Sequence, residues 1–153
     1  VSVTTAGGTG LLAGFTFIPA PTISSFTPLS AASGATITIT GTDFTGATAL
    51  SFGGTAATSF NVVDATTITA VVANGSSGNV SVTTPGGNVV LAGFTFIPAP
   101  TITSFTPTSG AQGINVTING TNFTGATSVK FGVYSDGKLI EEITSIFVGP
   151  DSK

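Results

Sequence analysis

The sequence predicts an all-β protein of tandem two-layer β-sandwiches, circularly shifted so that the first and last pieces are partial domains. Three observations carry that prediction. The chain is rich in Thr, Val, Ile and Phe and holds 21 Gly and 8 Pro among 153 residues, the make-up of short strands joined by tight turns. Apolar and polar residues alternate with a period of two in one stretch after another, as in strands with one buried face. Finally, Val1–Gly53 realigns with Val80–Gly132 without a gap, about 70 % of the aligned positions being identical.

The repeat sets the domain boundaries. LAGFTFIPAPTI occurs at 12–23 and again at 91–102, and GTDFTGAT at 41–48 returns as GTNFTGAT at 120–127. LSFGG at 50–54 becomes VKFGV at 129–133. Past Gly132 the copy diverges and then recovers, EITSIFVGPDSK at 142–153 aligning with TITAVVANGSSG at 67–78. Residues 1–18 therefore read as the two terminal strands of a sandwich. Residues 20–98 read as one complete sandwich, and residues 99–153 as a sandwich lacking its last two strands. The two partial pieces add up to one domain, and the chain stops almost where the next VSVTT is expected. PAP at 19–21 and 98–100 reads as the inter-domain junction, because Pro stiffens the backbone and cannot donate to a ladder.

The strands follow in order. VSVTT at 1–5 and GFTFIP at 14–19 are the displaced pair. In ATITITG at 35–41, Ile37 and Ile39 face one way and Thr36, Thr38 and Thr40 the other; NVTING at 115–120 repeats this with Val116 and Ile118. ALSFGG at 49–54 turns Leu50 and Phe52 inward, and SVKFG at 128–132 does the same with Val129 and Phe131. TSFNVV at 58–63 offers Phe60 and Val62, and TITAVVA at 67–73 reads as a more buried strand. NVSVTT at 79–84 and GFTFIP at 93–98 close the repeat with Val80, Val82, Phe94 and Phe96. Turns fall at SG, TG, GG, NGSSG and PGG. About seven strands per repeat is the spacing of an immunoglobulin-like sandwich.

The repeat resembles the bacterial IPT/TIG domain, an immunoglobulin-like module. The matching elements are the Pro-Thr start at 21–22, ITGTDF at 39–44, SFGG at 51–54, ITAVV at 68–72 and the VSVTTPGG hairpin at 80–87. The resemblance implies a sandwich fold and an extracellular setting. It leaves function open among surface adhesins, accessory modules of secreted enzymes and DNA-binding factors.

Composition narrows those choices. The only basic residues are Lys130, Lys138 and Lys153, too few to hold a phosphate backbone, so no nucleic acid is expected as partner. Mean hydropathy is +0.55, yet no apolar run approaches the roughly 18 residues of a membrane-spanning helix, so no membrane insertion is expected. With no Cys and no His there is no disulfide, no thiol chemistry and no near-neutral general base. The carboxylates are Asp43, Asp64, Asp136, Glu141, Glu142 and Asp151. Only Glu141 and Glu142 are adjacent, and strand neighbours face opposite sides, so no catalytic pair is expected and the chain is read as no enzyme. Neither metal nor cofactor is expected: Asp43 alone is thin for calcium, its repeat equivalent is Asn122, and a turn role suits both. N-x-S/T sequons start at Asn74, Asn79, Asn115, Asn119 and Asn122, permitting glycan modification where the host has the machinery. The absence of Met reads as a removed leader or as an internal piece of a longer chain.

The segment VYSDGKLIEE at 133–142 departs from the repeat and, with its flanks, concentrates the charges of the chain. Its DG at 136–137 predicts a tight hairpin. Charge there either specialises a surface or simply prevents wrong edge pairing.

Three functions fit. The favoured one is a structural subunit of an extracellular filament or surface appendage that polymerises with copies of itself. Its donor residues are Val1, Val3, Leu12, Phe15, Phe17 and Ile18. They complete a neighbouring acceptor lined by Val116, Ile118, Val129, Phe131, Ile143, Ile146 and Val148. The second is the stalk of a long tandem-repeat surface adhesin. The third is an accessory carbohydrate-binding module of a secreted enzyme, against which no Trp and only Tyr134 are available for a sugar platform.

Overall fold

The computed structural model describes residues 1–111, 113–135 and 138–143. It falls into two compact units, Val1–Pro98 and Ala99–Lys153. The described elements are strands, turns and irregular segments; among them no helix is long and apolar enough to cross a membrane.

The first unit opens with a hairpin of β1 (Ser2–Thr5) and β2 (Gly8–Leu11), followed by an extended stretch to Pro21. Then come β3 (Thr22–Thr27), β4 (Ser30–Ala32), β5 (Thr36–Thr42) and β6 (Ala49–Phe52). β7 (Thr55–Ala56), β8 (Ser59–Asp64), β9 (Thr67–Val71), β10 (Gly78–Thr84) and β11 (Gly87–Ile97) complete it. β3 to β11 form a sandwich. One sheet has the order β4-β11-β10-β6-β7, the other β3-β5-β9-β8. All pairs are antiparallel except β11 with β4, where Phe96 lies opposite Ala31.

Alternation builds the core. Along β5, Ile37 and Ile39 are fully buried while Thr36 and Thr40 are exposed. Against them from β9 come Ile68 and Ala70, and Phe26 from β3 adds to the same wall. The facing wall is Ala31, Leu50, Phe52, Val80, Val82, Phe94 and Phe96. Most of its volume comes from the closing hairpin β10–β11. The Phe52 and Phe94 rings meet at 5.0 Å with an interplanar angle of 47°, a tilted arrangement that favours aromatic pairs. Phe44, in the loop after β5, is fully buried in the same core. Gly41 admits it: a Cβ there would collide with the Thr22 carbonyl and crowd the Phe44 ring.

Asp43 sits at φ 58° and its repeat equivalent Asn122 at φ 60°. Asx side chains tolerate this left-handed region, which explains why the turn takes Asp or Asn there. Asp64 shapes the β8–β9 turn, its Oδ1 accepting both the Thr66 N–H and the Thr66 hydroxyl at 2.7 Å. These bonds favour the ionised form and hold the Asp64 pKa below its ordinary value.

The second unit has β12 (Thr101–Thr106), β13 (Thr117–Thr121), β14 (Phe131–Ser135) and β15 (Lys138–Ile143). β12 pairs β13 as β3 pairs β5, down to the same bulge: Ile102/Ser104 repeats Ile23/Ser25. Both copies carry a cis Thr-Pro bond, at Thr27–Pro28 and Thr106–Pro107. β14 and β15 pair around the predicted DG turn, which itself lies outside the described residues. The pairing departs from the alignment in one respect. Glu142 and Ile143 align with Thr67 and Ile68, which pair β5; here they pair β14, opposite Gly132 and Phe131. A short loop makes this local partner the easier one to close.

Candidate assembly site

Residues 1–18 and 80–97 hold nearly the same sequence in opposite surroundings. The hairpin geometry is the same in both. Ser2 pairs Leu11, Val3 pairs Gly10, Thr4 pairs Thr9 and Thr5 pairs Gly8; their equivalents pair identically, Ser81 with Val90 through Thr84 with Gly87. The turns match too: the Gly7 N–H donates to Thr5 Oγ1 at 3.3 Å, and the Gly86 N–H to Thr84 Oγ1 at 3.2 Å. The Leu12 N–H donates to the Val1 carbonyl at 2.9 Å, extending the ladder one step.

Burial separates the two copies. Val3, Phe15 and Phe17 are 64 %, 75 % and 76 % exposed, whereas Val82, Phe94 and Phe96 are 0 %, 2 % and 9 % exposed. Val1 follows the same rule against Val80. Leu12 is exposed where Leu91 packs partly on the core. Ile18 differs, since its equivalent Ile97 also stays about half exposed. The exposed copy thus leaves in water the large apolar side chains that its twin buries.

The extended half of the segment differs in backbone as well. β11 runs unbroken to Ile97 because β4 pairs its end, the Thr95 N–H donating to the Leu29 carbonyl at 2.9 Å. Residues 12–20 have no such partner and form no strand.

The second unit shows the converse. Val116, Ile118, Val129 and Phe131 are half-buried, while their equivalents Ile37, Ile39, Leu50 and Phe52 are sealed. Residues 128–130, equivalent to 49–51 of β6, form no strand; nor do 109–111, equivalent to the parallel strand β4. β6 owes its strand to β10, with Val80 opposite Phe52 and Val82 opposite Leu50. Among the described residues β14 pairs only β15, which leaves β14 one unpaired edge. Ile143 closes β15, with its side chain outside the described set; Ile146 and Val148 lie outside the described residues.

Residues outside the expected acceptor set show the same loss of burial. Phe105 and Ile102 are exposed and Phe123 is half-buried, where Phe26 and Phe44 are buried. The repeat itself was the signal that could have found them. Elsewhere, no group of three or more His, Cys, Asp or Glu side chains comes together among the described residues.

Comparison with known proteins agrees with the repeat. A family model described as the IPT/TIG domain matches twice, at residues 21–97 and 100–146. No curated protein matches the chain. Among solved structures it is similar to SGBP-B from a complex xyloglucan utilization locus in Bacteroides uniformis. That match has 20 % identity and a TM-score of 0.49, covering 63 % of this chain and 28 % of the other. It is also similar to a structural genomics protein of unknown function from Bacteroides thetaiotaomicron, at 19 % identity and a TM-score of 0.47, over 56 % and 23 % of the two chains. The surface glycan-binding protein PbSGBP-B from Prevotella bryantii matches at 22 % identity and a TM-score of 0.44, over 71 % and 28 %. The chain thus spans about a quarter of the length of these structures.

Proposed function

Because the chain belongs to the IPT/TIG domain family, we propose that residues 1–18 are the closing hairpin of a family unit supplied to another molecule. The acceptor is the unit 99–153 of a second copy. The chain is then a structural, non-enzymatic subunit of an extracellular filament or surface appendage. One observation carries this: the sequence that seals the core at 80–97 stands exposed at 1–18, already folded into the same hairpin register.

The physics is strand addition. β1 lies beside residues 128–131 as β10 lies beside β6, and residues 16–18 lie beside 109–111 as β11 lies beside β4. Val1, Val3, Phe15 and Phe17 enter the core, each side chain of this kind contributing about 1.5–3 kcal/mol when fully buried. A preformed turn lowers the ordering cost of the donor. Each subunit presents one donor and one acceptor, so the contact is heterologous, and it builds a filament where the rotation from copy to copy does not close into a ring.

Electron microscopy and sedimentation of the purified chain, with and without residues 1–18, test this. Filaments of regular two-domain repeat from the full chain, and none from the truncated chain, are expected. A full chain that stays monodisperse across a wide concentration range refutes the filament. It leaves the stalk of a tandem-repeat surface adhesin, in which the acceptor is a neighbouring unit of one long polypeptide.

A further inference from the structure

Gly86 lies in the turn of the closing hairpin, and the main chain leading into the central sandwich crosses directly over it. A Cβ on Gly86 would collide with the Pro19 carbonyl group and would stand 3.2 Å from Cγ2 of Ile18. A Cβ on the next residue, Gly87, would lie 3.8 Å from the Ala20 side chain. The turn of a completed unit thus forms a seat for the Ile18–Pro19–Ala20 segment that enters that same unit.

Both halves of this joint recur. Ile97–Pro98–Ala99 repeats Ile18–Pro19–Ala20 and enters the unit 99–153. Thr5–Gly8 repeats Thr84–Gly87, with the same register and the same turn hydrogen bond. Yet Gly7, the equivalent of Gly86, is open: a Cβ there would meet only Thr5 Oγ1, at 3.7 Å.

We infer that the donor hairpin brings its own half of the joint, so that the Thr5–Gly8 turn of one copy seats on Ile97–Ala99 of the copy it completes, with Gly7 against the Pro98 carbonyl. This deepens the donor-hairpin proposal and rests on it. The surface beside Gly7 is an interaction surface for a second copy of this chain, and Gly7 is a residue whose lack of a side chain serves the joint and not the hairpin. A joint repeated at every junction gives each subunit the same turn relative to the next, the condition for a regular filament.

Gly10 is the internal control. A Cβ there meets nothing within 4 Å, and its equivalent Val89 already carries a side chain that packs on the core of the complete unit. Neither Gly7 nor Gly10 has a left-handed φ, so Ala strains neither backbone.

The experiment compares the full chain with Gly7→Ala, Gly10→Ala and Phe15→Ala, reading the dissociation constant of the joint by sedimentation over a concentration series and the fold by circular dichroism and melting. Overpacking against main chain predicts that Gly7→Ala weakens the joint by about ten- to a hundredfold. Its spectrum and melting stay those of the unsubstituted monomer, and Gly10→Ala assembles as the unsubstituted chain does. If Gly7→Ala assembles normally while Phe15→Ala does not, the seat is wrong and the donor hairpin stands. If both assemble normally, or if the unsubstituted chain never assembles, the donor hairpin fails and the seat with it.

Discussion

Phe15 and Leu11 are both large, apolar and exposed in the N-terminal segment, yet truncating them to Ala should have very unequal consequences for assembly. The complete unit says why. Phe94, the equivalent of Phe15, is 2 % exposed and packs at a tilt against Phe52, whereas Val90, the equivalent of Leu11, remains 55 % exposed. Phe15→Ala therefore removes a ring from a sealed core once the hairpin is docked, a change that costs about 3–5 kcal/mol in well-packed sites. At about 1.4 kcal/mol per tenfold, the dissociation constant of the joint rises by about two to four orders of magnitude. Leu11→Ala trims a side chain that stays in solvent and shifts the constant by less than about threefold, the range of surface substitutions. Neither changes the fold of the isolated subunit, because both side chains are exposed there. Sedimentation across a concentration series gives the constants, and a melting curve checks the subunit. Equal effects from the two substitutions would refute the equivalence between 1–18 and 80–97, and an unaltered joint in Phe15→Ala would refute donation itself.

Two further outcomes follow from the same comparison. Ile39→Ala opens a fully sealed site in the central sandwich and should lower its stability by about 2–5 kcal/mol in a denaturant titration. Ile118→Ala, at the equivalent but half-buried position, should cost about 1 kcal/mol in the subunit and clearly more once the joint has formed. Asp64 gives a pH signature: its pKa is depressed by bonds from Thr66. Its contribution is therefore present above the ordinary carboxylate pKa of about 4 and lost as pH falls through the lower folded value. Asp64→Ala should flatten the acid limb of the melting temperature below the ordinary carboxylate pKa while leaving the joint unchanged; an acid limb identical to that of the unsubstituted chain counts against the turn role.

The sandwich was legible because its strands alternate so regularly. Ile37 and Ile39 against Thr36, Thr38 and Thr40 leave one choice of buried face, and the repeat transfers that choice to Val116 and Ile118. The pairing of β14 with β15 agrees with the DG signal, two residues whose conformational preference fits a tight turn and which themselves lie outside the described residues. Two features were not legible. The parallel strand β4 (Ser30–Ala32) is too short to show a period, and it exists only because Thr95–Ile97 lies alongside. The seat at Gly86 involves main chain, which leaves no mark on composition beyond a glycine among many. In the second unit the same limit appears from the other side, since Ser128–Lys130 reads as strand and is not one in the subunit.

That last discrepancy bears on the proposed joint. Strand structure that depends on neighbours in sequence is present throughout the described chain: β1–β2 forms without a core beneath it, and β12–β13 keeps the bulge of its counterpart. Strand structure that depends on the closing hairpin is missing at 12–18, at 109–111 and at 128–130. By equivalence with the complete unit, the first two are complementary to each other and the third is complementary to β1. In the complete unit the first pairs the second through the Thr95 N–H to Leu29 carbonyl bond, and β10 meets the third, with the Thr48 N–H donating to the Thr83 carbonyl at 2.9 Å. The equivalent amides are Thr16 and Thr127. On assembly both should gain strong protection against hydrogen exchange, while the Thr4–Thr9 pair, already in a ladder, gains less. Buried pairing slows exchange because the amide opens only when the joint does. Assembly without protection at Thr16 and Thr127 would mean that the copies meet through some other surface, with the apolar face of residues 1–18 left in water.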